Sequence, residues 1–454
     1  MIPAGISALV SPSRVAGPRL PYAVAGSLSV AAAAAAAHAL CGFWGALFCT
    51  ALLAFAPHHV HFSRIASHMI LDSLFAALLI LLMALVRRSG SLRLAALSGV
   101  VAGLALYGYS GGRVVAFTFL MAVPFLIYAC NRPRSRWLPA AALLAGFAVA
   151  AGPNLLFAAR DYGEWNGRFA DVSLFAPERW AHEVAERGSP AAVLERQMNL
   201  TALGLFSVRS TTAWFTHRPV ISPFLLPALA LVGAGWMVGR RRYLEAFVLG
   251  SIIAGNIAGV AFTDGTPASQ RASCIVPPLA ILAGVAAAAL LSRLPERGGS
   301  EIPWRAAVGV TATAAILAGT FRESPLAGKD DVEYAAYQAG FARAVDRFLA
   351  GRPREEAVYL YSRPHLDSNV APLPYFLEGR SVVDVEPPSG PYLPPETLRP
   401  GVHIFTEDWR EKIGEWPAGR PGMEEQPLPH PADASVRVAT VLIVSRETRL
   451  AASP

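Results

Sequence analysis

Charge is scarce in this chain. Only 16% of its 454 residues are Asp, Glu, Lys or Arg, against about 25% in an average soluble domain. By contrast 54% are hydrophobic and the mean hydropathy is +0.40, a composition that excludes an ordinary soluble protein and requires an integral membrane one. Cysteine is also rare. Cys41, Cys49, Cys130 and Cys274 fall in or beside apolar runs, without CxxC spacing or histidine partners; they read as buried small residues and no disulfide framework is expected. The net charge of +7 is mostly arginine in short loops. Nucleic acid would demand a basic patch or stripe on a folded domain, so it is not an expected partner.

What the chain has in abundance is long apolar runs. A bilayer-spanning helix needs about 20 mostly apolar residues. Ten segments qualify or come close: 22–39, 41–57, 67–86, 92–109, 114–130, 137–158, 220–238, 244–263, 273–292 and 304–321. The second is short enough to be re-entrant. Residues 1–40 resemble a secretory signal, but another apolar run begins at once at Cys41, and an uncleaved first span is expected. Arginine clusters at Arg87, Arg88 and Arg93, at Arg132, Arg134 and Arg136, at Arg240–Arg242, and at Arg293, Arg297 and Arg305 are separated by even numbers of spans. All then share one side, the cytoplasmic one.

That alternation places three features on the outer face: the cluster Pro57-His-His-Val-His-Phe-Ser-Arg64, the turn Tyr109-Ser-Gly-Gly-Arg113, and the loop Thr263–Arg271. Segment 159–219 is outside as well, with amphipathic stretches Glu178–Glu186 and Pro190–Phe206 and Trp165, Trp180 and Trp214 suited to the headgroup layer. From about residue 325 long apolar runs stop. Val332–Ala350 reads as an amphipathic helix, and Ala357–Tyr361, Ser381–Val385, Val402–Phe405 and Val436–Val444 as short strands. The fold class is therefore an α-helical polytopic membrane protein of about ten spans with a small α/β domain on the outer face. The expected regions are 1–158 (N-terminal membrane helices), 159–219 (outer amphipathic region), 220–324 (C-terminal membrane helices) and 325–454 (soluble domain). The soluble domain has no phosphate loop, GxGxxG fingerprint or metal-ligand spacing. A structural cap or acceptor guide is its expected role, and no cofactor is expected.

Ionisable groups near hydrocarbon mark function by default. Arg64, Arg113 and Arg271 stand at outer helix ends in three separate loops. Guanidinium forks suit phosphate, and Gly111 and Gly112 would let backbone approach a ligand beside Arg113. The bland alternative is that each arginine anchors a helix at the interface. Asp72 is expected about two turns below Arg64 on the same helix, as an orienting partner of Arg64, Arg113 or His68, or as a base. Asp264 is the other acidic candidate. His58, His59 and His61 are expected to be hydrogen-bonded surface groups rather than metal ligands. Tyr109 and Gln270 are supporting candidates.

His61-Phe-Ser-Arg64 followed by Leu71-Asp72-Ser73 resembles the second outer loop and following helix of the protein-O-mannosyltransferase type, polytopic GT-C glycosyltransferases that use a lipid-phosphate-linked sugar. Leu106-Tyr-Gly-Tyr-Ser-Gly-Gly-Arg113, Asp171-Val-Ser-Leu-Phe-Ala-Pro177 and Pro267-Ala-Ser-Gln-Arg271 are similar to the bacterial members' pattern. The resemblance covers roughly 25–320. It implies a glycosyltransferase of the bacterial inner membrane with its soluble domain on the periplasmic side. The enzyme would move a sugar with inversion from a polyprenyl-phosphate carrier to a glycan, lipid or protein hydroxyl. Arg64, Arg113 and Arg271 would hold the departing phosphate and a carboxylate would take the acceptor proton. One departure matters: family members carry an acidic residue in a large outer loop after the first span, whereas residues 1–21 contain no acid. The expectations are a start assigned after that loop, a degenerate relative that only binds lipid-linked sugar, or replacement by an acid such as Asp264. A transporter or flippase would want internal repeats, and none is found.

Overall fold

The computed structural model describes residues 6–7, 11, 16–65, 67–129, 137–206, 220–221, 225–263, 269–294, 304–323, 341–361, 377, 379–385, 399–406, 422–430 and 433–445. The chain divides into two compact units, Met1–Gly328 and Lys329–Pro454.

The first unit is helical: α1 (Ala16–Cys41), α2 (Phe43–Ala54), α3 (Pro57–Arg64), α4 (Met69–Ser89), α5 (Leu92–Ala105), α6 (Ser110–Ala129), α7 (Trp137–Arg160), α8 (Tyr162–Val172), α9 (Pro177–Arg187), α10 (Pro190–Phe206), α11 (Leu225–Gly239), α12 (Tyr243–Ala261), α13 (Val276–Leu291) and α14 (Trp304–Glu323). Among the described residues six of these helices are long and apolar enough to cross a membrane, and α2 with α3, bent by 61°, forms a broken span or a re-entrant loop. Three shorter apolar helices, α5, α11 and α13, complete the set. This is a multi-pass membrane protein.

Local chemistry sets the helix ends. Pro57 opens α3 where its missing N–H costs nothing. Gly90, at φ 62°, closes α4 in the left-handed region, its N–H returning to the Val86 carbonyl. Ser91 then caps α5 by accepting from the Leu94 N–H. Where helices cross, small residues let backbones touch. A Cβ on Gly99 of α5 would strike the Leu143 carbonyl of α7, and one on Gly146 of α7 the Ala96 carbonyl of α5.

One expectation fails here. Arg64 and Asp72 do not share a helix: Ile65 turns extended at φ −97°, ψ 150°, ending α3, and α4 restarts after His68. The cause lies in the sequence, where polar groups from His58 to His68 interrupt the apolar run.

The second unit carries α15 (Phe341–Leu349) and a five-stranded sheet of order β2-β1-β3-β5-β4. Its strands are β1 (Val358–Tyr361), β2 (Val382–Asp384), β3 (Gly401–Phe405), β4 (Met423–His430) and β5 (Asp433–Val444). β1 runs parallel to β2 and β3, and β5 antiparallel to β3 and β4. Of the anticipated helix Val332–Ala350, residues 332–340 lie outside the described set. β4 was not anticipated. Its Pro427 and Pro429 argue against a strand by composition, but it pairs only with β5 among the described strands, and its register shifts around Pro429, which is where a sheet tolerates proline. His403 is buried in the sheet. Its Nδ1 pairs with the Tyr361 hydroxyl at 2.9 Å and its Nε2 with the Arg399 carbonyl at 2.6 Å. Burial pulls its pKa down to about 4 and pushes that of Tyr361 up.

Candidate active site

A cleft of about 980 Å³ opens between α6 and α12. Val114, Phe117, Thr118 and Met121 supply its α6 wall, and Phe247, Ser251, Ala254, Gly255 and Gly259 its α12 wall. Spacings of three and four residues put each set on one helix face. Polar groups gather at one end: His68, Tyr109 and Arg113 meet Thr263 and Arg271 there. The result is an amphipathic groove about 15 Å long, judged from the rise between residues 110 and 121, with cations at one end and hydrocarbon along the rest.

Arg113 leaves the first turn of α6 and is half-buried. One guanidinium nitrogen donates to the Trp165 carbonyl at 3.1 Å, and the carbon of the fork lies 4.2 Å above the Trp165 ring. Trp165 is fixed in turn, its indole N–H donating to Asn154 Oδ1 at 2.9 Å. Arg271 is 7% exposed and donates to the Thr263 hydroxyl at 2.6 Å. Just below Thr263's end of α12, the Leu174 N–H bonds the Phe262 carbonyl, tying the segment after α8 to that helix.

Asp72 lies beneath this cleft, fully buried, and does not line it. The Tyr109 N–H donates to its Oδ1 at 2.8 Å, and the backbone of Gly111 and Gly112 lies close against the carboxylate. Asp72 thus caps α6 from a neighbouring helix, where an anion is favoured by the free N–H groups. The glycines serve this contact and not a ligand's approach, which corrects the expectation for them. A Cβ on Gly108 would strike Asp72 Oδ1. One on Gly111 would sit 2.7 Å from Cys274 Sγ, 2.9 Å from Asp72 Oδ2 and 3.1 Å from Asn256 Oδ1, and one on Gly112 would strike the Ala105 carbonyl. Next door the Ser73 hydroxyl donates to the Ser273 carbonyl at 2.5 Å. Residues 72 and 73 of α4 therefore anchor both the start of α6, which carries Arg113, and the segment that follows Arg271.

The anticipated residues divide accordingly. Arg113, Arg271 and Tyr109 come together in the cleft; the Tyr109 ring packs 5.4 Å from that of His68. Arg64 is exposed at the end of α3 and is not among the cleft's lining residues, because the break at Ile65 turns α3 away from the α4 line. His58, His59 and His61 are buried at 1%, 3% and 6% exposure, which overturns their reading as surface groups. His59 Nε2 bonds the Gly26 carbonyl at 3.2 Å, and His58 and His61 pack edge-on against Phe62; they fill the bend between α2 and α4. Gln270 is buried, 8% exposed, beside Arg271. Asp264 lies outside the described residues. Trp165, Asn256 and Cys274 were missed as site groups: a tryptophan reads as an interface anchor and a mid-span Asn or Cys as core until the fold sets them beside Arg113 or Asp72.

No family model matches this sequence, and no curated protein matches it significantly. Solved structures do. ArnT from Cupriavidus metallidurans bound to undecaprenyl phosphate superposes with TM-score 0.53 at 16% identity, over 94% of this chain and 83% of that one. The oligosaccharyltransferase of Archaeoglobus fulgidus in its apo form gives TM-score 0.50 at 12% identity, over 89% of this chain and 60% of that one. At such identities the likeness shows the fold alone, a fold that this chain shares with both.

Proposed function

We propose that this chain is a membrane glycosyltransferase that takes its sugar from a polyprenyl-phosphate carrier and delivers it to an acceptor hydroxyl at the outer face, as its resemblance to the protein-O-mannosyltransferase type implies. The observation that carries this reading is the amphipathic groove: two arginines, with Tyr109 and His68, at one end and apolar helix faces along the rest. A lipid phosphate has that same division. One of the fold's neighbours, the Cupriavidus ArnT, is seen bound to undecaprenyl phosphate.

In this mechanism the phosphate lies against Arg113 and Arg271 and the prenyl tail runs between α6 and α12. The bond from the sugar's anomeric carbon to the phosphate oxygen breaks while one to the acceptor oxygen forms from the opposite side. The electron pair leaves with the phosphate, whose growing charge the arginines stabilise, and the acceptor proton passes to a carboxylate. Asp72 holds α6 and positions Arg113; Asp264, next in sequence to Thr263, is the candidate base. The chain sits in a bacterial inner membrane, with residues 1–158 and 220–324 as membrane body, 159–219 as outer-face region and 325–454 on the periplasmic side as cap or acceptor guide.

A second reading is a relative that binds a lipid-linked sugar without transferring it. Its support is that, among the described residues, no carboxylate lines the cleft. One experiment addresses both. Binding of a polyprenyl phosphate to the purified chain in nanodiscs is measured for wild type, Arg113→Ala and Arg240→Ala, together with release of carrier phosphate from a polyprenyl-phosphate sugar. Arg113→Ala is expected to weaken binding by at least about 30-fold and Arg240→Ala to leave it intact. Equal effects would refute the groove as the phosphate site, and binding without any release would favour the second reading.

A further inference from the structure

A second groove, of about 610 Å³, opens between α1, α2 and α4. It lies at the other end of the helical unit: the cleft begins beside His68, before α4, while this groove takes in Leu81, Leu85 and Arg88 toward the end of that helix. Ala34, Ala35 and Ala46 line it with the two leucines, so its body is hydrocarbon made concave by small side chains. His38 and Arg88, in the last turns of α1 and α4, complete it. From Arg88 to Leu81 is about 10 Å along the helix axis, a headgroup-to-acyl progression.

The charges around it are unbalanced. Arg87, next to Arg88, donates to Glu245 at 2.6 Å. Arg242, at the start of α12, lies within electrostatic reach of Glu245, Arg87 and Arg88. Arg87 thus engages the one buried carboxylate directly, and Arg242 lies within reach of it. Arg88 is exposed, and among the described residues no carboxylate pairs with it. A cationic mouth over an apolar groove between spans fits an acidic phospholipid headgroup. We propose that this groove is a binding site for an anionic glycerophospholipid of the membrane leaflet, its phosphate at Arg88 and His38 and one acyl chain against Ala34, Ala35, Leu81 and Leu85. The site is separate from the sugar-transfer groove and stands whether or not that reading holds.

The test uses the full chain purified in mild detergent and offered phosphatidylglycerol, phosphatidylcholine or a polyprenyl phosphate, with bound lipid counted by native mass spectrometry. Wild type should retain phosphatidylglycerol over phosphatidylcholine. Arg88→Ala should lower that retention about fivefold. Ala35→Phe, an exposed position that fills the groove without entering the core, should abolish it. Arg113→Ala should retain phosphatidylglycerol like wild type. Equal retention of the two phospholipids, or no effect of either groove variant in proteins that melt like wild type, would overturn the site. So would displacement of phosphatidylglycerol by the polyprenyl phosphate in the Arg113→Ala protein, which would make the groove a carrier site.

Discussion

Arg87 and Arg113 are half-buried arginines at opposite ends of the same helical unit, and they are satisfied in opposite ways. Arg87 donates at 2.6 Å to Glu245, whose side chain is 3% exposed. Arg113 has a backbone carbonyl at 3.1 Å and an indole face at 4.2 Å. A carboxylate neutralises a guanidinium and competes with any arriving anion, so the first arrangement makes a structural tie. A carbonyl and a ring orient the fork and leave its charge in place, which is what the proposed phosphate site needs of it. The two positions look alike in sequence, an arginine beside a helix end, and only the partner separates structure from chemistry.

The comparison breaks most visibly at Arg87. Arg87→Ala leaves a buried carboxylate without its direct partner and should destabilise the helical unit by about 3 kcal/mol, read as a lower melting temperature in nanodiscs, with polyprenyl-phosphate affinity unchanged. Arg113→Ala should do the reverse, losing the ligand while melting close to wild type. A large stability loss at Arg113 with none at Arg87 would invert the assignment. A step smaller is Gly111→Ala. The added methyl meets Cys274, Asp72 and Asn256 at 2.7–3.1 Å and should cost about 2 kcal/mol as overpacking. Gly250→Ala on the open face of α12 meets nothing within 4 Å and should gain up to about 1 kcal/mol in helix propensity. Equal behaviour of the two alanine variants would mean that the packing around Asp72 at the start of α6 does not hold that helix in place.

Much of the membrane body is legible because hydrocarbon imposes one rule on every span: α4 and α12 declare themselves by length and apolarity alone, and the even number of spans between the arginines at 87–88 and those at 240–242 agrees with the Arg87–Glu245 bond that joins those helix ends. The site was half legible. Arg113 and Arg271 stand out as arginines flanking apolar runs, but Arg64 has the same signature and the kink at Ile65 takes it elsewhere. The polar run from His58 to His68 marks where the helix breaks, but not the direction that α3 takes from there. Gly111 and Gly112 could be seen to permit a close approach, yet the approaching group, Asp72, sits some forty positions earlier. β4 escaped because Pro427 and Pro429 are read against a central strand, and its edge position exists only once β5 is placed.

The sheet-bearing unit offers the smallest and cleanest extension of the contrast, because His403 is a basic group held by neutral partners with no room for charge. Tyr361 and the Arg399 carbonyl occupy both ring nitrogens, and burial holds the pKa near 4 against about 6.5 in an unfolded chain. The folded state therefore resists a proton that the unfolded state accepts. Stability from this group is fully present above about pH 6.5, falls as the unfolded imidazole protonates, and levels off only below the folded value near 4. Between pH 7.5 and 5.5 the loss should be about 1 kcal/mol, seen as a falling denaturation midpoint of the sheet. His403→Phe, which keeps the ring stacked between Tyr359 and Phe405 but cannot take a proton, should flatten that slope even where it lowers stability overall. An unchanged slope in His403→Phe would show that the acid sensitivity arises from another group and that the buried imidazole is not under proton tension.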